Sequence, residues 1–222
     1  MKRRFKVIFS LFAILAVCMA GCGGQRSGPV HSDTCFIYTD GLLDDLCAME
    51  YLAERYDHAV IMLHNPNELA DSQYASHKVK DERALLDTVS QWFVSAAVYS
   101  DSADISEADL YLLAPLTEFA DMLKEDPSLC SKLALLMAGD SDGPDGAGEE
   151  WNAAADTDAY RYVTENMTDL LQATRPECEA EYEKNGYPFQ AQFLDEYVEK
   201  MSSIGENLCC YDLQAAAILF KD

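Results

Sequence analysis

Apolar residues in this chain come in short unbroken runs separated by longer stretches with helical spacing, and the alternation sets the fold class. Cys35-Phe36-Ile37-Tyr38 reads as a buried strand, and Leu43 to Arg55 follows with apolar residues at Leu43, Leu46, Cys47, Met49 and Leu52, one side of a helix. Ala59 to Leu63 is a second buried run, so strand, helix and strand form a βαβ unit. Lys78 to Val98 predicts one long helix, with Leu85, Leu86, Val89, Trp92, Phe93 and Ala96 along one side. Leu110 to Leu113 is a third strand, turned by Ala114-Pro115 into a helix over Leu116 to Leu123; Leu133 to Met137 is a fourth strand. A Gly- and Asp-rich loop follows from Gly139 to Gly148. Helices are predicted over Asp156 to Asn166, over Gln190 to Met201, and from Leu213 to Phe220. Strands alternating with helices predict an α/β fold, an open, mainly parallel sheet flanked by helices in the Rossmann-like manner.

The ends of the chain add a location. Met1-Lys2-Arg3-Arg4-Phe5-Lys6 is basic and Val7 to Ala20 almost wholly apolar, the pattern of an export signal and too short for a membrane span. The run closes in Met19-Ala20-Gly21-Cys22, which resembles the lipobox of bacterial lipoproteins. That resemblance implies cleavage after residue 21, lipidation of Cys22, a flexible tether over 22–32 and a folded domain over 33–222 on the outer side of the cell membrane, attached through its lipid. A domain of about 190 residues can bury a sizeable core.

Charge narrows the partners. The 222 residues carry 39 Asp and Glu against 16 Lys and Arg, a net charge of −23, and loss of the basic signal makes the domain more acidic still. Such a surface repels nucleic acid and anionic lipid and favours cations and neutral small molecules. Membrane contact is therefore expected through the lipid anchor alone. Cys35, Cys47, Cys130, Cys178, Cys209 and Cys210 lie in the domain; six cysteines allow 15 pairings, and their spacings match no zinc site.

The richest chemistry lies in Thr39-Asp40-Gly41-Leu42-Leu43-Asp44-Asp45, three carboxylates where a strand ends and a helix begins. In open α/β sheets ligands bind at that edge. Asp44 and Asp45 also suit the free N–H groups of a first helical turn. Asp40 adds repulsion that a bound cation would relieve.

Four separated segments then resemble, in order, the calcium-dependent nucleoside hydrolases of the inosine–uridine-preferring type. Tyr38-Thr39-Asp40-Gly41-Leu42-Leu43-Asp44-Asp45 is similar to the family's Asp-x-Asp-Pro-Gly-x-Asp-Asp, with Tyr38 in place of the first aspartate and Gly41-Leu42 in place of Pro-Gly. Leu113-Ala114-Pro115-Leu116-Thr117-Glu118 looks like its Leu-Gly-Pro-Leu-Thr-Asn turn. Leu136-Met137-Ala138-Gly139, then Glu150-Trp151-Asn152 and Asp156, looks like Met-Gly-Gly, a loop, Glu-Phe-Asn and Asp-Pro-Glu-Ala. Tyr211-Asp212-Leu213 with Ala215-Ala216-Ala217 looks like the His-Asp-x-Leu-Ala helix start.

The resemblance implies Ca2+ held by Asp40, Asp45, Asp212 and the main-chain carbonyl of Leu113. It implies ribose hydroxyls held by Asp44, Glu150 and Asn152, with Asn65 or Asn67 for an asparagine after the second strand. It further implies catalysis by Asp40 as the base that takes a proton from water, with Tyr211 standing where the family often has a histidine acid for the departing base. The expected reaction is hydrolysis of the N-glycosidic bond of a ribonucleoside to base and ribose. The chain is shorter than the family between Asn65 and Leu110, and Tyr38, Leu42, Pro144 and Tyr211 depart from its pattern. A second reading therefore stands beside the first, a lipoprotein that binds a nucleoside or ribose through calcium without hydrolysis. His64 is expected at the surface, with a base contact as the alternative. Trp151 is expected to pack beneath the site.

Overall fold

The computed structural model describes residues 32–64, 81–100, 103–137 and 151–220. The segment read as an export signal, Cys22, the expected tether apart from Ser32, Asn65, Asn67, the Gly139–Gly148 loop and Glu150 lie outside the described residues. The fold is α/β. Six strands, β1 (Thr34–Thr39), β2 (His58–Leu63), β3 (Ser95–Val98), β4 (Asp109–Leu112), β5 (Leu133–Met137) and β6 (Asp169–Ala173), form one sheet in the order β3-β2-β1-β4-β5-β6. Every pairing is parallel. Eight helices accompany them among the described residues: α1 (Leu43–Leu52), α2 (Glu82–Val89), α3 (Thr117–Glu125), α4 (Trp151–Ala155), α5 (Thr157–Asn166), α6 (Arg175–Asn185), α7 (Leu194–Ile204) and α8 (Tyr211–Leu219). None of them is long and apolar enough to cross a membrane.

Side chains of successive strand residues point to opposite faces, and both faces are covered. Cys35, Ile37, Tyr111, Leu113, Leu133 and Leu135 pack with α1, α2, α6, α7 and α8. Phe36, Tyr38, Leu110, Leu112, Ala134 and Leu136 pack with α3, α4 and α5. This explains why the central strands read as continuous apolar runs. Helix α1 lies between the sheet and other helices, so eight of its ten residues are buried, Asp45 among them. Helix α8 buries Asp212, Leu213, Gln214, Ala215, Ala216 and Ala217, its alanines letting it lie close to its neighbours.

Strands β3 and β6 and helices α2, α4 and α6 differ from the sequence expectation. The helix expected over Lys78 to Val98 ends at Val89, and Ser95–Val98 is instead the edge strand β3, half-exposed and built of small side chains. Strand β6 closes the other edge, Leu133 pairing with Asp169 through Met137 with Ala173. Helix α6 was not expected because it is charged nearly all round, with only Cys178 buried. Its start carries a capping box, Thr174 with Glu177, and Pro176 in its first turn.

Candidate metal centre

The strand order reverses between β1 and β4, and connections from these two strands leave toward opposite faces of the sheet. Their C-terminal ends bound a crevice of the kind in which doubly wound folds bind ligands. The acidic turn lies at this point. Thr39 ends β1, and its hydroxyl donates to Asp45 Oδ1 at 2.5 Å while accepting from the Gly41 N–H at 2.9 Å. Gly41 has φ +78°, a left-handed conformation that glycine adopts without steric cost, and a Cβ there would come within 3.3 Å of Leu63 Cδ1. The tight turn brings Asp44 and Asp45 into the first turn of α1. Helix α8 contributes Asp212 in its own first turn. Two helix N-termini thus face one place with their acidic residues.

One ligand oxygen from each of Asp44, Asp45 and Asp212 lies within 4.8 Å of the others. Asp45 and Asp212 are almost wholly buried, and Asp45 Oδ2 and Asp212 Oδ1 have no hydrogen-bond partner. Unsatisfied buried carboxylate oxygens are costly, and two together repel. A shared proton or a bound cation resolves both problems. The carboxyls respond accordingly. Burial and then the charge of Asp40 push Asp45 well up; burial and then the charges of Asp45, Asp44 and Asp40 do the same to Asp212. Burial, with Asp45 second, raises Asp44, which keeps partial access to solvent.

Asp40 stands beside this trio rather than within it. Its carboxyl accepts from the Leu42 N–H at 3.3 Å, and burial followed by the charge of Asp44 pushes it up to about 7. The Leu113 carbonyl, at the end of β4, accepts from the Asn152 amide at 3.1 Å, and the Met137 carbonyl accepts from the same nitrogen at 3.5 Å. Asn152 therefore ties the C-terminal ends of β4 and β5 together from the start of α4. Tyr211 is half-buried, and its hydroxyl donates to Glu179 Oε1 at 2.6 Å; Glu179 also receives Arg175 Nε at 3.1 Å. Burial and that carboxylate raise the phenol well above its ordinary range.

The structure thus gathers Asp44, Asp45 and Asp212, sets Asp40 beside them, engages the Leu113 carbonyl with the Asn152 amide, and turns the Tyr211 hydroxyl toward α6. Two expectations are corrected. His64 is buried, with 7% exposure, because its ring joins Tyr38 and Glu118. Trp151 is 60% exposed rather than packed beneath the site, since the first residue of the short α4 faces outward while Asn152 faces in.

The Tyr38–His64–Glu118 cluster escapes local sequence reading, its members being 26 and 80 residues from Tyr38 along the chain. All six domain cysteines are free thiols. No family model, curated protein or solved structure matches the chain.

Proposed function

We propose that the crevice between β1 and β4 is a divalent-cation site, with Ca2+ the expected ion, at which the protein hydrolyses the N-glycosidic bond of ribonucleosides to free base and ribose. The observation that carries this reading is the pair of buried, partnerless oxygens, Asp45 Oδ2 and Asp212 Oδ1, within a trio of carboxylates at the switch point of the sheet. The donors on offer are all oxygens, which hard cations prefer. Asp45, Asp212 and Asp44 would hold the ion, with Asp40 beside them. When bound, the cation supplies the positive charge that offsets these carboxylates and makes a neighbouring water more acidic.

The chain's own residues supply the remainder. Asp40, buried beside the trio, would take the proton that a water at the site sheds. A ring of carboxylates stabilises positive charge as it develops on a sugar whose base is leaving. Thr39 orients Asp45 by its hydroxyl, and Asn152 holds the β4 and β5 ends at fixed separation. The four resembling segments supply the substrate class.

A second reading is favoured by one observation: the Tyr211 hydroxyl is engaged by Glu179 and strongly disinclined to ionise. With no acid there, the protein would bind a nucleoside or ribose through the cation without cleaving it. Purified domain assayed for free ribose from inosine, uridine and cytidine, with calcium and with chelator, separates the readings. Calcium-dependent ribose release that Asp40→Ala abolishes supports hydrolysis. Calcium-dependent stabilisation with nucleoside binding and no ribose supports binding alone. Absence of any calcium effect contradicts both.

A further inference from the structure

The crevice has a second wall. Tyr38 points to the opposite face of the sheet from Ile37, toward α3, where it meets Glu118 in the first turn of that helix and His64 just after β2. His64 Nδ1 lies 2.8 Å from the Tyr38 hydroxyl and 2.6 Å from Glu118 Oε2, and the Tyr38 hydroxyl donates to the same carboxylate oxygen. Backbone bonds fix the ends of the strands around it: the His64 N–H donates to the Thr39 carbonyl at 2.7 Å and the Leu113 N–H to the Tyr38 carbonyl at 2.8 Å. The Asp45–Asp212 group stands on the α1 and α8 side, and Asp40 lies between the two groups, its charge acting on both Tyr38 and Asp45. A ligand seated at the switch point has carboxylates on one side and this cluster on the other.

Protonation within the cluster follows from its contacts. Burial pulls Glu118 up, but hydrogen bonds from Tyr38 and a backbone N–H, with His64 nearby, outweigh it and hold the carboxyl below its usual range. Burial and Glu118 push the Tyr38 phenol up, so it keeps its proton and donates. An ionised carboxylate oxygen 2.6 Å from Nδ1 requires the ring proton on Nδ1. Nε2 remains, and it makes no hydrogen bond among the described residues. A carboxylate-oriented imidazole with one nitrogen left over is an arrangement that transfers protons at that nitrogen.

Resting on the hydrolase reading, the geometry points to His64, held by Glu118 and Tyr38, as the proton donor to the departing nucleobase, the task that Tyr211 is placed badly to perform. In that step the C1′–N bond breaks with its electron pair going to the base. His64 acts as the imidazolium, protonated at Nε2 as well as at Nδ1 and paired with the Glu118 carboxylate, and its Nε2 proton passes to a base nitrogen or oxygen. A water oxygen bonds to C1′, and the proton that water sheds goes to Asp40. The products are free base and ribose, and both side chains return to their starting states by exchange with solvent. Glu118 and Tyr38 are positioning residues; only His64 meets the base.

The test compares two leaving groups in the calcium-loaded protein. Inosine carries a base that needs a proton to depart, whereas p-nitrophenyl β-ribofuranoside releases a stable phenolate without one. His64→Gln is expected to lower kcat on inosine about 100-fold or more and to change the nitrophenyl substrate less than about tenfold. Glu118→Gln, which keeps the side chain's shape, should show the same selective loss at smaller size. Calcium-dependent thermal stabilisation of each variant reports that the fold and the carboxylate site persist. Equal losses on both substrates in both variants, or no loss on inosine, overturn the assignment of His64 while leaving the hydrolase reading in place. Wild-type protein that releases ribose from neither substrate overturns the hydrolase reading, and this assignment with it.

Discussion

Replacing Asp212 by asparagine keeps the shape of the side chain and removes one charge from the buried trio. Among Asp44, Asp45 and Asp212 the ligand oxygens lie within 4.8 Å, and at an effective dielectric constant near 20 one such pair repels by about 3 kcal/mol. Proton uptake by the raised carboxyls relieves part of this, and the charge lost from the first turn of α8 forfeits about 0.3–1 kcal/mol of helix-dipole stabilisation. In chelator near pH 7.5, Asp212→Asn is therefore expected to be more stable than the wild type by about 1–2 kcal/mol. For a domain of this size that is a rise in Tm of about 2–8 °C. Calcium reverses the order. At an ion concentration 100 times Kd the wild type gains about 2.7 kcal/mol, and the variant, missing one ligand, gains little. Thermal melts of both proteins in chelator and in calcium read all four values. An Asp212→Asn protein less stable than the wild type by the same margin in both solutions would show instead that Asp212 serves only the N-terminus of α8.

Three other outcomes are expected. Asp40→Asn should lower ribose release from nucleosides about 100-fold to 10,000-fold, measured as kcat, since the base is lost; unchanged turnover would remove Asp40 from the chemistry. In chelator, stability measured by denaturant midpoints should fall as pH rises from about 4 toward 7: folded Asp40, raised from 3.8 to about 7, keeps a proton that the unfolded chain has released, so its contribution is full below about 4 and is lost through 7. Calcium should flatten that fall, and a profile that rises over the same range without calcium would contradict the assignment. Asn152→Ala withdraws the donor shared by the Leu113 and Met137 carbonyls and should cost about 1–3 kcal/mol in urea unfolding; a neutral result would mean that water replaces the amide there.

The central sheet was legible because β1, β2, β4 and β5 are covered on both faces, which forces apolar runs whichever way a side chain points. The edges were not. In β3, Ser95-Ala-Ala-Val98 has no large side chain to mark a strand, and Trp92 and Phe93 extend the helical spacing of Leu85 and Val89 past the real end of α2. Helix α6 lacks an apolar stripe, yet Thr174-x-x-Glu177 with Pro176 was a readable start signal. The trio at the site was half-visible: Asp44 and Asp45 are adjacent in the turn, while Asp212 joins them only because α8 packs on α1, a contact that resemblance supplied and periodicity could not. The sequence reading put Asp40 among the ligands and Asp44 on the sugar, whereas the fold places Asp44 in the trio and Asp40 at its side. The burial of His64 depends on Glu118, 54 residues away, and no local pattern announces that meeting.

A cation held by the carboxylates at the switch point underlies the proposed activity. Calorimetric titration of calcium into chelator-stripped protein measures this directly. One ion bound per chain in the wild type, and none in Asp45→Asn, is the predicted result. A wild type that binds no ion, or an Asp45→Asn variant that binds it equally well, would mean that these carboxylates hold no cation.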